Sequence, residues 1–183
     1  MTELAFLALE VGVHERTLRR AVAQGSLRAV RPSPRTLQMT LSERQYARRS
    51  WALLSALRTA LRTEHNVQFA LLFGSAARGT NTPESDVDVL VVLRDPSLER
   101  IVELGAKLTA VTGRHVDLVR LEDAQAEPSV LADAVADGRV LVAREGLWSR
   151  LRGREASLRR EGRTTDVRRA HAALAGLDRV LAH

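Results

Sequence analysis

Apolar runs at strand spacing alternate with helical patterns in the middle of the chain. Four β-rich runs, VQFALLFG, VDVLVVL, HVDLVRL and RVLVAR, lie between residues 67 and 144. The segments LERIVELGAKLTAVTG and VLADAVADG between them have the apolar spacing of helices that pack on a sheet. This alternation predicts an α/β or α+β domain, with a sheet covered by helices, over residues 65–144.

The first 50 residues predict a different pattern of two short helices and a small hairpin. A glycine turn at Gly12 separates the first helix from the second, which we expect from about His14 to Gln24 with Gly25 ending it. Two β-prone runs then lie on either side of residues 32–34, where two prolines favour a turn.

Helical patterns also connect and end these regions. We call residues 1–50 the head. A helix from about Ser42 to Glu64 is expected to join the head to the central domain, with residues 51–64 as the connection. Leucines at helical spacing after residue 145 predict two amphipathic helices separated at Gly162. The predicted organisation is therefore residues 1–50, 51–64, 65–144 and 145–183.

Charge divides along the same lines and narrows the functional classes. The chain has a net charge of +6, but residues 1–50 carry +5, residues 51–143 carry −4 and residues 144–183 carry +5. Basic ends suit nucleic acid and an acidic middle suits a divalent metal. The chain contains no cysteine, which excludes disulfide scaffolds and cysteine chemistry. Without an apolar run of about 18 residues or a signal-like start, we expect a soluble cytoplasmic protein without a membrane partner.

The segment LLFGSAARGTNTPESDVDVLVVL, residues 71–93, carries the candidate chemistry. Asp86 and Asp88 open a predicted strand two residues apart, so their carboxylates project from the same face. Like charges this close need a proton or a metal, and oxygen ligands at a strand end suit Mg²⁺ held together with substrate phosphates. Asp117 in the next strand run completes a triad if the two strands are neighbours.

A glycine and a serine before a short helical turn supply the second half of the candidate site. Gly74 lets the backbone approach a phosphate closely, and the N–H groups of the turn with the Ser75 hydroxyl can bind phosphate oxygens. Arg78, one turn later, adds a cation for the leaving pyrophosphate. Asp117 could accept the proton of an attacking hydroxyl.

The pattern G-S-x-A-R-G, followed by a loop and S-D-x-D before an apolar strand, resembles the minimal nucleotidyltransferases of the DNA polymerase β-like superfamily. The resemblance implies a mixed sheet with flanking helices, two Mg²⁺ ions, and transfer of a nucleoside monophosphate from an NTP, expected to be ATP, to a hydroxyl. Small members of this family often act as antitoxins that adenylylate a HEPN-type toxin. It assigns metal binding and catalysis to Asp86, Asp88 and Asp117, and nucleotide binding to Gly74, Ser75, Arg78 and Ser85.

The head resembles the winged helix-turn-helix of the excisionase and MerR-like group. The segment V-G-V-H-E-R-T-L-R-R-A-V-A-Q-G-S-L-R-A, followed by the hairpin, carries this resemblance. It implies double-stranded DNA as a partner and a homodimer on paired half-sites. The residues it places on DNA are Arg16, Thr17, Arg19 and Arg20 of the second helix and Arg35 of the wing.

Three alternatives remain open from the sequence. The chain could be an antitoxin that modifies a toxin and represses its own operon through the head. It could be a DNA-binding regulator whose nucleotidyltransferase domain senses nucleotide or binds a partner. It could also modify a small molecule, although the roughly 40 residues after the central domain are few for a second pocket-forming domain.

Overall fold

A computed structural model describes residues 2–33, 36–144 and 146–166 of the chain. The first part of the chain forms the predicted pair of short helices, the hairpin and a long helix. In chain order these elements are α1 (Glu3–Glu10), α2 (Glu15–Ala23), β1 (Val30–Ser33), β2 (Thr36–Gln38) and α3 (Leu41–Arg62).

The central part alternates strands and helices as the apolar pattern predicts. The short helix α6 is the one element here that the sequence analysis did not predict. In chain order the elements are β3 (Val67–Leu72), α4 (Gly74–Arg78), β4 (Val87–Leu93), α5 (Leu98–Thr112), β5 (Val116–Arg120), α6 (Leu121–Gln125), α7 (Pro128–Asp137), β6 (Arg139–Ala143) and α8 (Leu147–Gly153).

The four central strands form one mixed sheet in the order β5-β4-β3-β6. β3 is antiparallel to both of its neighbours, whereas β4 and β5 run parallel. The parallel pair is connected through α5, because parallel strands need a crossover that returns the chain to the same end of the sheet. This arrangement confirms the predicted mixed sheet with flanking helices. It also brings the first residues of β4 and β5 to the same end of the sheet.

Both faces of the sheet are buried, which explains the continuous apolar runs in its central strands. Side chains alternate along β3, so Ala70 and Leu72 pack on one face and Phe69 and Leu71 on the other. The first face contacts the core that includes Leu57 of α3. The second face packs against α7 and α8.

The head packs into the apolar core that covers the first face of the sheet. Leu7 and Leu18 are fully buried in the same apolar cluster as the sheet residues. The edge strand β6 also bonds to the loop after α2, where the Val140 N–H donates to the Gly25 carbonyl at 3.1 Å. The division between residues 1–50, 51–64 and 65–144 therefore remains a prediction, with α3 extending across the boundary between residues 50 and 51.

The break between the C-terminal helices is a correction to the sequence analysis. The chain turns at Arg154 and not at Gly162, which lies inside the helical residues 155–166. A Cβ atom at Gly162 would lie 2.8 Å from the Cα of Ser129, so this glycine allows close packing against the start of α7. The rest of the predicted C-terminal helices lies outside the described residues.

Hydropathy adds one further observation about the helices. Within residues 2–33, 36–144 and 146–166, no helix combines the length and the apolar character needed to cross a membrane.

Candidate active site

The turn between β3 and α4 is built around one glycine. Gly74 has a φ of +67°, in the left-handed region that favours glycine. A Cβ atom at this position would lie 2.2 Å from Oδ2 of Asp88. Any side chain would therefore displace the carboxylate, and the close approach of the turn to Asp88 depends on glycine.

Strand pairing brings the three predicted aspartates together. Asp88 in β4 lies directly beside Asp117 in β5 in the parallel register. Asp86 comes immediately before β4, and the Val87 N–H that follows it donates to the carbonyl of His115 at 2.9 Å. The prediction that the two strands are neighbours is confirmed, and the three carboxylates meet at one end of the sheet.

His115 also lies in this cluster, although it was not among the site residues predicted from the sequence. Its Nδ1 atom is 3.6 Å from Oδ1 of Asp86 and 3.4 Å from Oδ1 of Asp117. The signal was available, because His115 and Asp117 are two residues apart and side chains alternate along an extended chain. The same rule had placed Asp86 and Asp88 on one face.

The electrostatics of the cluster favour a bound cation. Burial raises the pKa of Asp88 and the carboxylates of Asp117 and Asp86 raise it further, whereas the Arg78 guanidinium lowers it. The ionised form of Asp88 is therefore disfavoured without a positive partner. A divalent ion would reverse this effect.

The donor atoms also fit a metal. One ligand atom from each of Asp86, His115 and Asp117 can be chosen so that all three lie within 4.8 Å of one another. Carboxylate oxygens are the ligands that Mg²⁺ prefers, and Asp88 adds a further carboxylate beside them. The residues present are thus suited to hold Mg²⁺ near the Gly74 turn.

The other predicted nucleotide-binding residues lie around this turn in different roles. Ser75 is half-buried in α4, and Arg78 is exposed at the end of that helix. The Ser85 hydroxyl instead accepts from the Thr82 N–H at 3.0 Å and closes the loop before Asp86. Arg114 holds the same loop, since its Nε donates to the Ser85 carbonyl at 3.1 Å.

The predicted DNA-binding residues of α2 face two directions. Arg16 is exposed, and the Arg19 Nε donates to Glu15 at 2.7 Å. Thr17 and Arg20 instead line a cavity between α2, α3 and β6. Arg35 lies outside the described residues.

Comparisons with known proteins place the aspartate cluster within a family. Residues 56–146 match the family model described as polymerase beta, nucleotidyltransferase. The chain is 41% identical over 69 residues to the protein adenylyltransferase MntA of Thermococcus cleftensis, a match that covers 37% of this chain and 70% of that protein.

Solved structures have the same fold as the central domain. A structure of the toxin–antitoxin MntA–HpeT mutant superposes with a TM-score of 0.54 at 21% identity, covering 66% of this chain and 98% of that one. The toxin–antitoxin MntA–HepT gives a TM-score of 0.50 at 20% identity, covering 68% and 98% of the two chains. At these identities the likeness establishes the fold of the central domain.

Proposed function

Because this chain belongs to the polymerase β nucleotidyltransferase family, we propose that it transfers AMP from ATP to a hydroxyl of a protein partner. The partner we propose is a HEPN-type toxin, which would make the chain an antitoxin. The observation that carries the proposal is the Asp86, Asp88 and Asp117 cluster beside the Gly74 turn, in a chain similar to a protein adenylyltransferase. We infer the substrate class from the similar protein adenylyltransferase, and the partner from the toxin–antitoxin complexes among the structural neighbours.

We propose a part of the reaction for each group of the candidate site. The Gly74–Ser75 turn would hold triphosphate oxygens through backbone N–H groups, without a side chain to obstruct them. Asp86, Asp88 and Asp117 would hold Mg²⁺, which when bound neutralises charge on the phosphates. Asp117, which lies beside Asp88 in the neighbouring strand and is about half exposed, would accept the proton of the acceptor hydroxyl. The hydroxyl oxygen then bonds to the α-phosphorus and the bond to the β-phosphate breaks, releasing pyrophosphate.

Two labels of ATP test the reaction. With Mg²⁺ and a purified HEPN-type toxin, we expect label to enter the toxin from α-labelled ATP and not from γ-labelled ATP, because the α-phosphate is the one retained. Label from both would indicate phosphorylation, and label from neither would contradict AMP transfer to this partner. A parallel incubation with small aminoglycoside-type alcohols, analysed by mass, tests the small-molecule alternative directly.

We further propose that the head binds double-stranded DNA, so that the protein could repress its own operon. The support is the basic character of residues 1–50, the exposed Arg16 of α2 and the hairpin that follows that helix. Arg19 is available as well, because an exposed ion pair with Glu15 contributes little and is readily exchanged for phosphate. This arrangement is typical of a helix that meets the major groove with a hairpin beside it.

Salt dependence tests the DNA-binding proposal. The double variant Arg16→Gln with Arg19→Gln should weaken binding to operator DNA and reduce the slope of log affinity against log salt by about 0.9 per lost phosphate contact. The matched control is Arg100→Gln with Arg159→Gln, which removes the same charge from exposed positions outside the head. Equal slopes for both double variants would show that α2 does not contact DNA.

A further inference from the structure

The cavity that Thr17 and Arg20 line is at the opposite edge of the sheet from the aspartate cluster. It has a volume of about 580 Å³, is partly open to solvent, and is lined by α2, the second half of α3, β6 and the start of α8. β6 is separated from β4, which carries Asp88, by β3. The size falls in the range of pockets that bind small ligands, and it is far too small to admit a DNA duplex.

Four arginines line this cavity and none has a carboxylate partner among the described residues. Arg58 donates to two neutral oxygens, Oε1 of Gln24 and Oγ of Ser26. Arg144 donates to backbone carbonyls, with the one of His65 at 3.2 Å. The described lining residues include no aspartate or glutamate. The four arginines are Arg20, Arg58, Arg62 and Arg144.

This concentration of positive charge is unfavourable in the free protein. Burial lowers the pKa of Arg58, and the charge of Arg20 lowers it further. Guanidinium groups stay protonated in proteins, so the cost appears as lost stability. An anion in the cavity would remove that cost by pairing with several guanidinium groups at once.

We propose that this cavity is a second binding site, which takes a small ligand through a pyrophosphate group. Guanidinium groups bind phosphate oxygens through paired hydrogen bonds. A pyrophosphate group, which carries several negative charges, therefore suits several guanidinium groups better than a single carboxylate would. The group could belong to free pyrophosphate or to a nucleoside triphosphate. The base of a nucleotide finds no free aromatic face here, so phosphate contacts dominate.

The two tryptophans of the cavity offer no free face for a base, but their fluorescence can report binding. The chain has two tryptophans, Trp51 and Trp148, and both line the cavity. Trp148 stacks on Phe69 with ring centroids 6.3 Å apart, and the Arg152 guanidinium lies 5.5 Å from its ring centroid. Trp51 is 8% exposed. Binding should therefore change tryptophan fluorescence without stacking of a base.

Titration of pyrophosphate into full-length Asp88→Asn protein in EDTA tests the proposal, since the aspartate cluster is then disabled. We expect saturable binding by calorimetry together with a fluorescence change. In this background, adding Arg20→Gln and Arg62→Gln should weaken binding about tenfold or more, because each lost bond to a charged group contributes about 1.5 kcal/mol or more. Adding Arg49→Gln and Arg160→Gln, at exposed positions outside the cavity, should leave binding unchanged.

The outcomes distinguish free pyrophosphate from a nucleoside triphosphate as the ligand, and they test the cavity separately from AMP transfer. Equal affinity for pyrophosphate and ATP supports recognition of the pyrophosphate group alone, and tighter binding of ATP assigns the site to a nucleotide. No saturable binding, or equal binding by the Arg20 and Arg62 variant and by the control variant, overturns the proposal. The Arg20 and Arg62 variant should melt no lower than its background, which excludes misfolding. Labelling of the toxin is measured separately, so failure here leaves AMP transfer untouched.

Discussion

Asp88→Asn is expected to reduce AMP transfer by about a thousandfold or more while raising the melting temperature of the metal-free protein. The loss follows because asparagine cannot supply the charge that binds Mg²⁺, which removes several kcal/mol of stabilisation at the phosphates. The gain follows because Asp88 is a carboxylate with a raised pKa, held between Asp117 and Asp86. This one substitution should therefore lower the activity and raise the stability of the metal-free protein.

The pH dependence of this gain follows from the direction of the pKa shift. The folded protein holds the Asp88 proton more tightly than the unfolded chain, in which the pKa has its ordinary value of 3.8. The contribution of Asp88 to folding is most favourable below that value and is lost as the pH rises through the folded pKa. The difference in melting temperature between Asp88→Asn and wild type should therefore be present at pH 7 and disappear below about pH 4.

Thermal unfolding with and without Mg²⁺ checks both parts of the prediction. Mg²⁺ should raise the melting temperature of the wild type by mass action and leave Asp88→Asn unchanged. Asp133→Asn is the matched control, because Asp133 is an exposed aspartate of α7 outside the cluster. Undiminished labelling by Asp88→Asn would show that Asp88 does not hold a metal at the site. A melting temperature below that of the wild type in EDTA would show that the Asp88 carboxylate does not destabilise the metal-free fold.

Local patterns predicted part of the arrangement of the site. Two-residue spacing placed Asp86 and Asp88 on one face, and a glycine followed by serine after an apolar strand indicated the turn that now lies against Asp88. The neighbouring position of Asp117 depended on the pairing of β4 with β5, which the sequence left as a condition and which the parallel register meets. His115 was missed because a single histidine has no ligand spacing to another histidine, although its spacing to Asp117 was available.

Contacts between distant segments could not be predicted in this way. Arg139 and Glu43 form a buried ion pair across 96 positions of the sequence, and no period links them. The four arginines of the cavity come from α2, from α3 and from the residue after β6, so their meeting depends on how α2 and α3 pack on β6. Periodicity gives the faces of a helix but not their neighbours, so the cavity that Thr17 and Arg20 line was not predicted.

The buried pair itself connects the head to the active-site turn. The Arg139 Nη2 donates to Oε2 of Glu43 at 3.1 Å, and the Arg139 Nε donates to the Ala77 carbonyl of α4 at 2.9 Å. The Arg139 guanidinium lies 3.5 Å from the centre of the Tyr46 ring. Glu43 also accepts from the Arg28 N–H at 2.8 Å. Arg139 therefore holds the helix that presents Gly74 and Ser75.

Arg139→Met is expected to lower the free energy of unfolding by about 3–5 kcal/mol, because it leaves the Glu43 carboxylate buried without a cation beside it. Urea denaturation measures this change. The double variant Arg139→Met with Glu43→Met should recover a large part of the loss, since replacing a whole buried pair by apolar groups is often close to neutral. Activity measured at a temperature where the double variant is folded should still be reduced, because α4 loses its bond to Arg139.

An exposed ion pair provides the comparison that isolates burial. The side chains of Arg139 and Glu43 are 4% and 6% exposed, whereas those of Arg100 and Glu103 are both 54% exposed. Arg100→Met should change the free energy of unfolding by about 0–1 kcal/mol. If Arg139→Met costs as little as Arg100→Met, the Glu43 carboxylate must reach water or another cation in the variant, and Arg139 is then not required to neutralise it. A double variant as unstable as Arg139→Met would instead assign the loss to the missing bonds to Ala77 and the Tyr46 ring, because no buried carboxylate would remain.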